Sequence, residues 1–137
     1  MTDESTTALL HQTMPLCASL GMRADRYEAA GVALTLDWSP ALCTSNGLLH
    51  GGVVMALADS AGGACAFLNL PQGAAGTSTI ESKTNFLRAV REGSITAIST
   101  PLHVGSTTIV IETSVRDSGD RLVAKVTQTQ TVLRPRS

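Results

Sequence analysis

A stretch of twenty residues that is apolar on nearly every side constrains the fold of this chain more than any other feature. Residues 49–68 consist largely of Ala, Val, Leu and Gly, and Pro71 and Gly73 follow them closely. A helix with apolar residues all round its surface must be buried. His50, Asp59 and several glycines interrupt the run, which makes it a poor membrane span. The segment therefore predicts a long helix buried inside a domain.

Four strands are predicted after this helix, because the sequence becomes rich in β-branched residues and its polar positions alternate. The loop Ser118-Gly119-Asp120-Arg121 is a good hairpin turn between the last two of them. We expect the four strands to form an antiparallel meander with the helix against one face, which is an α+β arrangement. The predicted strands are Thr77–Leu87, Gly93–Val104, Thr107–Asp117 and Leu122–Leu133.

The segment before the helix predicts one further strand and a short helical region. Residues 26–38 alternate apolar with polar or small side chains and predict a strand, and residues 40–49 predict a loop. Residues 5–20 fit a short amphipathic helix that a proline interrupts. The chain of 137 residues has the usual length of one domain. We therefore expect a single domain over residues 1–137, with residues 1–25 as an N-terminal helical or loop extension.

The composition argues for a subunit interface and against nucleic acid as a partner. Charged residues make up only 15% of the chain and apolar residues 43%, so little charge is present to cover the surface. We expect part of the surface to be buried against another subunit. The net charge is −1 and the chain has four aromatic residues. A nucleic-acid-binding protein needs a basic face and aromatic side chains on which bases can stack, and the composition indicates neither.

Cysteine usage and the N-terminus predict a cytoplasmic protein that binds neither membranes nor metals. The three cysteines are odd in number and widely spaced, with no Cys-x-x-Cys pair, and so they predict reduced thiols rather than a metal site. The N-terminal residues are polar and acidic, whereas a signal peptide begins with basic residues and an apolar run.

The entry to the long helix is the strongest candidate for chemistry. Gly51 and Gly52 stand at the predicted helix start, where backbone N–H groups have no partner inside the helix. These donors and the helix dipole can polarise a carbonyl group or hold an oxyanion. Neither glycine has a side chain, so a substrate can approach closely.

Asp59 follows His50 by nine residues, about two and a half helical turns. A carboxylate among small apolar residues is unfavourable unless it is paired or used. Asp59 is therefore either a buried structural residue that hydrogen-bonds its neighbours or a catalytic group, since perturbed carboxylates cluster at functional sites. His50 is in turn either a helix cap or a catalyst.

The motif Gly47-x-x-His50-Gly51-Gly52, followed by Leu57-Ala58-Asp59, resembles the signature of hot-dog-fold thioesterases of the PaaI-like (phenylacetate-pathway) group. The run from Thr79 to Arg88 also resembles the second site strand of that family. The resemblance covers roughly residues 26–134. It implies an α+β hot-dog fold, in which an antiparallel sheet of about five or six strands wraps around one long central helix.

The resemblance also implies roles for individual residues. Asp59 matches the carboxylate that activates water or attacks the thioester, and the Gly51 amide matches the donor to the thioester carbonyl. His50 matches the residue that shapes this turn beside the carbonyl. Thr79, or its neighbour Ser78, matches the hydroxyl that positions the water. In the family the site lies between two subunits, so Thr79 is expected to face Asp59 across a dimer interface.

Two positions depart from the family pattern. Relatives commonly carry Asn or Gln six residues before the histidine, where this chain has Thr44, and its Asn46 lies only four residues before. Either Asn46 takes that role through a different loop path, or the role is lost or moved. Many relatives also have an arginine in the turn after the third strand, where this chain offers Ser106.

The thioester substrates that the resemblance implies are esters of coenzyme A, which is strongly anionic, and three basic residues are candidates to meet its phosphates. Lys83, Arg88 and Arg91 lie on or just after one predicted strand. They are equally well explained as an ordinary solvated edge.

Together with these observations, the resemblance implies a cytoplasmic acyl-CoA thioesterase that acts on aryl or medium-chain acyl groups. Thioester hydrolysis needs a polarised carbonyl and a base or nucleophile, without metal or redox cofactor, and coenzyme A belongs to the substrate. The expected assembly is a homodimer that pairs into a homotetramer. The alternatives are a non-catalytic acyl-CoA binding module, which Thr44 keeps open, and a hot-dog enoyl or hydroxyacyl thioester hydratase, whose catalytic histidine arrangement we do not find.

Overall fold

The computed structural model describes residues 1–136, and Ser137, the last residue of the predicted domain, lies outside the described residues. Three helices and six strands form the structure, together with single 3-10 turns at Pro40–Leu42 and Ser45–Gly47. The helices are α1 (Glu4–Thr13), α2 (Pro15–Leu20) and α3 (Gly51–Leu68). The strands are β1 (Arg23–Glu28), β2 (Gly31–Asp37), β3 (Gly76–Phe86), β4 (Ser94–Val104), β5 (Thr108–Asp117) and β6 (Leu122–Leu133).

All six strands pair antiparallel in one sheet, in the order β1-β2-β4-β5-β6-β3. Helix α3 contacts every strand of this sheet. The prediction of a long central helix in an antiparallel sheet of five or six strands is therefore confirmed.

The predicted meander of the last four strands is wrong. Strand β3 pairs with β6 at one edge of the sheet, and β4 pairs with β2 instead of β3. The reason lies in α3, which is about 27 Å long at 1.5 Å per residue. A helix of that length can carry the chain past the four strand spacings of about 4.8 Å that separate β2 from β3.

The single strand predicted over residues 26–38 is also wrong, because the segment belongs to a β-hairpin. Strand β1 begins at Arg23, and Glu28 pairs with Gly31 across a two-residue loop of alanines. The loop contains none of the residues Pro, Asn or Asp that usually mark a turn in a sequence, so the sequence did not indicate a hairpin here. Since Arg23 already pairs with Thr35, the N-terminal extension ends at Met22 rather than at residue 25.

The interrupted N-terminal helix is confirmed, with Pro15 in the first turn of α2 and Gly21 in the left-handed conformation at its end (φ 75°). Leu10 of α1 and Cys17 of α2 are buried in the same core as the sheet. The extension therefore packs onto the domain rather than lying free in solvent.

Helix α3 divides into a buried face and an exposed face. The helix is long and apolar enough to pass as a membrane span by length and composition alone, but residues such as Leu57 and Ala61 form the protein core with the strands, as the prediction of a buried helix requires. The exposed face carries Met55, Asp59 and Phe67, and it lies beside the edge strand β3. The residues of interest for function are on this second face.

Candidate active site

Asp59 lies on the exposed face of α3 and its carboxylate is held from one side. Oδ1 of Asp59 accepts a hydrogen bond from the Thr79 hydroxyl at 2.9 Å and another from Gln128 Nε2 at 3.1 Å. Asp59 is exposed in the single chain, so the structure shows the neighbour hydrogen bonds of the structural interpretation but not its burial. The resemblance implies that Thr79 faces Asp59 across a subunit interface, but in the structure their hydrogen bond forms within one subunit.

A second layer of hydrogen bonds supports Thr79 from behind. Gln130 Nε2 donates to the Thr79 hydroxyl oxygen at 2.6 Å, and Thr77 Oγ1 lies 3.0 Å from Gln130 Oε1. Gln128 and Gln130 are fully buried, with 0% and 1% of their surface exposed. The carboxylate of Asp59 is thus the surface end of a polar network that runs into the core.

A β-bulge in β3 aligns this network. Thr79 pairs with Gln130 and Glu81 pairs with Thr129, so Ile80 is the extra residue on β3. A bulge of this kind re-aims the neighbouring side chains and is common next to active sites. It sets Thr79 directly opposite Gln130 on the side of the sheet that faces Asp59.

Sequence reasoning missed both glutamines, although β6 carries a signal that could have found them. Val126, Gln128, Gln130 and Val132 are buried at alternate positions on one face of β6. Two long polar residues in phase with core valines are unusual, because glutamine is mostly exposed in folded proteins.

Beside Asp59 lies a cavity of about 660 Å³ with mostly apolar walls. One wall is the exposed face of α3 from Asp59 to Leu68, and another is the start of β3, including Ser78 and Thr79. Helix α1 and Tyr27 of β1 complete it. The only charged group among its lining residues is Asp59.

The N-terminus of α3 forms a separate site. His50 is the N-cap, and its Nδ1 accepts the Gly52 N–H at 2.7 Å. The structure thus supports the helix-cap interpretation of His50. Gly51 N–H, by contrast, has no acceptor within residues 1–136 and remains available to a ligand.

A second cavity, of about 420 Å³, opens at Gly51. The Phe86 ring covers one side of Gly51 so closely that an added Cβ would stand 3.2 Å from it. Thr44 and Arg88 also line this cavity. The position six residues before the histidine therefore does face the helix start, with a hydroxyl in place of an amide.

The helix N-terminus and the carboxylate do not meet within one chain. Gly51 and Asp59 are eight residues apart on α3, about 12 Å along its axis, and they line different cavities. Ser78 and Thr79 lie with Asp59, whereas Arg88 lies with Gly51.

The remaining predicted site residues line neither cavity. Asn46 is exposed in a loop with a left-handed backbone (φ 63°), a conformation that asparagine tolerates. Lys83 on β3 donates to the Asn85 side chain at 2.9 Å, and Arg91 is exposed in the loop after β3. Ser106 lies in the β4–β5 turn, where its carbonyl accepts a hydrogen bond from Arg134 at 2.7 Å.

Comparison with known proteins identifies the family of this chain. Residues 46–124 match the family model of the thioesterase superfamily. Over 120 residues the chain is 30% identical to a Mycobacterium tuberculosis protein named "Putative esterase Rv1847", and the match covers 86% of each chain. The segment that matches the family model, residues 46–124, includes both the N-terminus of α3 and Asp59.

Solved structures agree with this assignment. The structure of Rv1847 superposes with a TM-score of 0.86 at 27% identity, over 90% of this chain and all of the other. Thioesterase HI1161 from Haemophilus influenzae gives 0.82 at 27% identity, over 91% and 90% of the two chains. A thioesterase family protein from Silicibacter pomeroyi gives 0.83 at 30% identity, over 94% and 96%. The chain therefore belongs to the thioesterase superfamily, a family of thioester hydrolases with the hot-dog fold.

Proposed function

We propose that this protein is a PaaI-like thioesterase that hydrolyses acyl-coenzyme A esters of compact apolar acids, aryl or medium-chain, to the free acid and coenzyme A. One observation carries the proposal. An exposed carboxylate, Asp59, is anchored by two hydrogen-bond donors at the wall of a mostly apolar cavity of about 660 Å³.

The chemistry requires two groups at one carbonyl. Asp59 takes a proton from water, and the hydroxide attacks the thioester carbon to form a tetrahedral oxyanion. The Gly51 N–H donates to that oxyanion and stabilises it. Collapse of the intermediate expels the thiolate of coenzyme A, which recovers the proton from Asp59. In the alternative route Asp59 attacks the carbon directly, and water hydrolyses the resulting anhydride.

Two copies of the chain are needed to bring these groups together. Gly51 and Asp59 lie about 12 Å apart in one chain, too far to act on the same carbonyl. In an antiparallel pair of α3 helices, the N-terminus of one helix lies beside Asp59 of the other. We therefore propose a homodimer with two sites, each built from both subunits, and the homotetramer stays a prediction.

Exposed apolar groups support this dimer. Strand β3 forms one edge of the sheet, is eleven residues long and exposes Ile80 and Phe86. Long exposed edge strands are usually protected in natural proteins, because their free backbone groups pair readily with another strand. Met55 and Phe67 on the adjacent face of α3 extend the same apolar surface.

The cavity beside Asp59 suits an apolar acyl group. Small residues of α3, Gly63 and Ala64, provide its depth, and Tyr27 and Phe67 contribute aromatic walls. An apolar cavity of about 150 Å³ already holds benzene, and ligand pockets usually measure about 300–1,000 Å³. An aryl or medium-chain acyl group fits a cavity of 660 Å³. Arg88 beside Gly51 is the basic residue best placed to meet the phosphates of coenzyme A.

Thiol release from a panel of acyl-CoA esters tests the proposal. The panel contains benzoyl, phenylacetyl, hydroxylated aryl, short aliphatic and long aliphatic esters. We expect release by the wild type and a loss of about a hundredfold or more with Asp59→Asn. Asp120→Asn is the matched control, because Asp120 is exposed in the β5–β6 turn with φ 63°, which asparagine tolerates.

Failure of this test has a definite meaning. If the folded wild type binds acyl-CoA esters but releases no thiol from any of them, the enzyme proposal is wrong and the protein is a binding module. Thr44 in the cavity at Gly51 is the observation that favours that second function, because an amide donor is replaced there by a hydroxyl.

A further inference from the structure

Two glutamines of β6 are buried at positions where a core usually holds apolar residues. Gln128 and Gln130 occupy core positions between Val126 and Val132, and both are fully buried. Burying a primary amide is unfavourable unless hydrogen bonds replace its water contacts. Apolar residues would fill these positions at lower cost, so the amides are most simply explained by what they contact.

Gln128 reaches Asp59 through a gap in α3. Its Nε2 lies 3.1 Å from Asp59 Oδ1, and its Oε1 is buried with no partner in residues 1–136. The reverse orientation of this amide would set its oxygen against the carboxylate. The gap is Gly62, where an added Cβ would overlap the Gln128 amide. Gly62 therefore makes room for the contact, three residues after Asp59 on the same helix.

Gln130 determines where the Thr79 proton points. A threonine hydroxyl has one proton to donate and accepts through its lone pairs. Gln130 Nε2 donates to the Thr79 oxygen at 2.6 Å, so the Thr79 proton is directed to Asp59 Oδ1. The Thr77 hydroxyl lies 3.0 Å from Gln130 Oε1 and 2.9 Å from the Thr131 carbonyl oxygen, so these two acceptors share its single proton. Donation in one direction along such a chain strengthens each bond.

The two oxygens of Asp59 are consequently unlike. Oδ1 accepts two hydrogen bonds, whereas Oδ2 accepts none from residues 1–136. We infer that Gln128 and Gln130 are positioning residues for thioester hydrolysis: they anchor Oδ1, directly and through Thr79, and so leave Oδ2 as the oxygen that acts on water or on the thioester carbon. The inference rests on the proposed function. Fixing the carboxylate matters because a misplacement of about 1 Å can cost about a hundredfold in rate.

A double-mutant cycle tests the inference. Gln128→Met and Gln130→Met keep the side-chain length and remove the amide. Each is expected to lower kcat by about tenfold or more while KM stays within about twofold, because the change acts on the carboxylate and not on substrate contacts. In the Asp59→Asn background neither should lower kcat further, since the group they position is already lost. Gln12→Met, at an exposed position of α1, is the control and should leave both constants unchanged.

The cycle separates this inference from the proposed function. If the wild type is active and Asp59→Asn is not, but folded Gln128→Met and Gln130→Met retain full kcat, the inference alone is overturned. The inference is also overturned if the glutamine variants lower kcat by the same factor in the Asp59→Asn background as in the wild type. If the wild type releases no thiol, the proposed function itself fails.

A spectroscopic measurement covers the case in which a glutamine variant does not fold. The chain has four glutamines, and the other two, Gln12 and Gln72, are exposed. In protein labelled with ¹⁵N-glutamine, Asp59→Asn should shift the side-chain amide resonance of Gln128, and Thr79→Ala that of Gln130. The resonances of Gln12 and Gln72 should not move. An unmoved Gln128 resonance in Asp59→Asn overturns the inference.

Discussion

The hydroxyl of Thr79 donates a 2.9 Å hydrogen bond to the carboxylate of Asp59, which joins the edge strand β3 to the central helix within one chain. A hydroxyl bound in this way fixes the carboxylate before any substrate arrives. Because Asp59 and the residues that hydrogen-bond it are assembled within each subunit, the proposed dimer has to add only the Gly51 N–H of the second subunit.

Removal of the Thr79 hydroxyl should lower kcat by about tenfold. Thr79→Val has the same shape without the donor, and a hydrogen bond to a charged group contributes about 1.5–3 kcal/mol. Thr79→Ser keeps the hydroxyl and should retain most of the activity. Steady-state kinetics on the best ester of the panel checks both variants. A Thr79→Val enzyme as active as the wild type would show that Thr79 does not support Asp59 in the reaction.

Two inactive variants should restore activity when their subunits are mixed. Gly51→Pro removes the N–H at the first helical position, which tolerates proline, and His50 before it has the extended backbone that proline requires (φ −64°, ψ 132°). In a mixed dimer of Gly51→Pro with Asp59→Asn, one of the two sites is intact. Random exchange of subunits should therefore recover about a quarter of the wild-type activity if the proposed dimer holds.

Gly51→Ala is the matched control for this experiment, because it adds the same Cβ near Phe86 but keeps the N–H. It should retain much more activity than Gly51→Pro. If mixed subunits exchange, as shown by mass spectrometry, and no activity returns, the shared site is wrong.

The two adjacent glycines of α3 should respond in opposite ways to alanine. A Cβ at Gly62 would overlap the Gln128 amide, so Gly62→Ala is expected to destabilise the fold by about 1–3 kcal/mol. A Cβ at Gly63 meets nothing within 4 Å, so Gly63→Ala should stabilise it by about 0.5–1 kcal/mol through helix propensity. Denaturant unfolding measures both changes. Equal stabilities would mean that Gln128 can move aside without loss.

The cysteines should differ in reactivity towards a disulfide reagent. Cys17 and Cys65 are buried, and burial raises the pKa of both thiols. Both are therefore inaccessible and less readily ionised than a free thiol, whereas the thiolate is the reactive form. Cys43 is only partly buried. Native protein should therefore release about one equivalent of chromophore rapidly, and three in denaturant. Rapid reaction of three thiols in the native state would contradict the packing of α2 and α3 described here.

Features set by residues close together in the chain were predictable. The bounds of α3 follow from the largely apolar run between His50 and Pro71, and His50 at its start is an N-cap through a contact to Gly52, two residues away. The four later strands follow from β-branched residues and turn signals. The same reasoning placed Asp59 on this helix, and the low content of charged residues predicted a subunit interface.

Long-range pairing decided the rest. Whether β3 pairs with β4 or with β6 depends on where α3 delivers the chain, and local preferences do not encode that choice. The pairing with β6 is what places Thr79 opposite Gln130 and brings Gln128 to Asp59. The loop path that puts Thr44 rather than Asn46 in the cavity at Gly51 is also tertiary. Sequence alone thus determined the helix, its cap and its carboxylate, whereas the contacts of that carboxylate, and its separation from Gly51 in one chain, arose only from folding, because they join residues from distant parts of the chain.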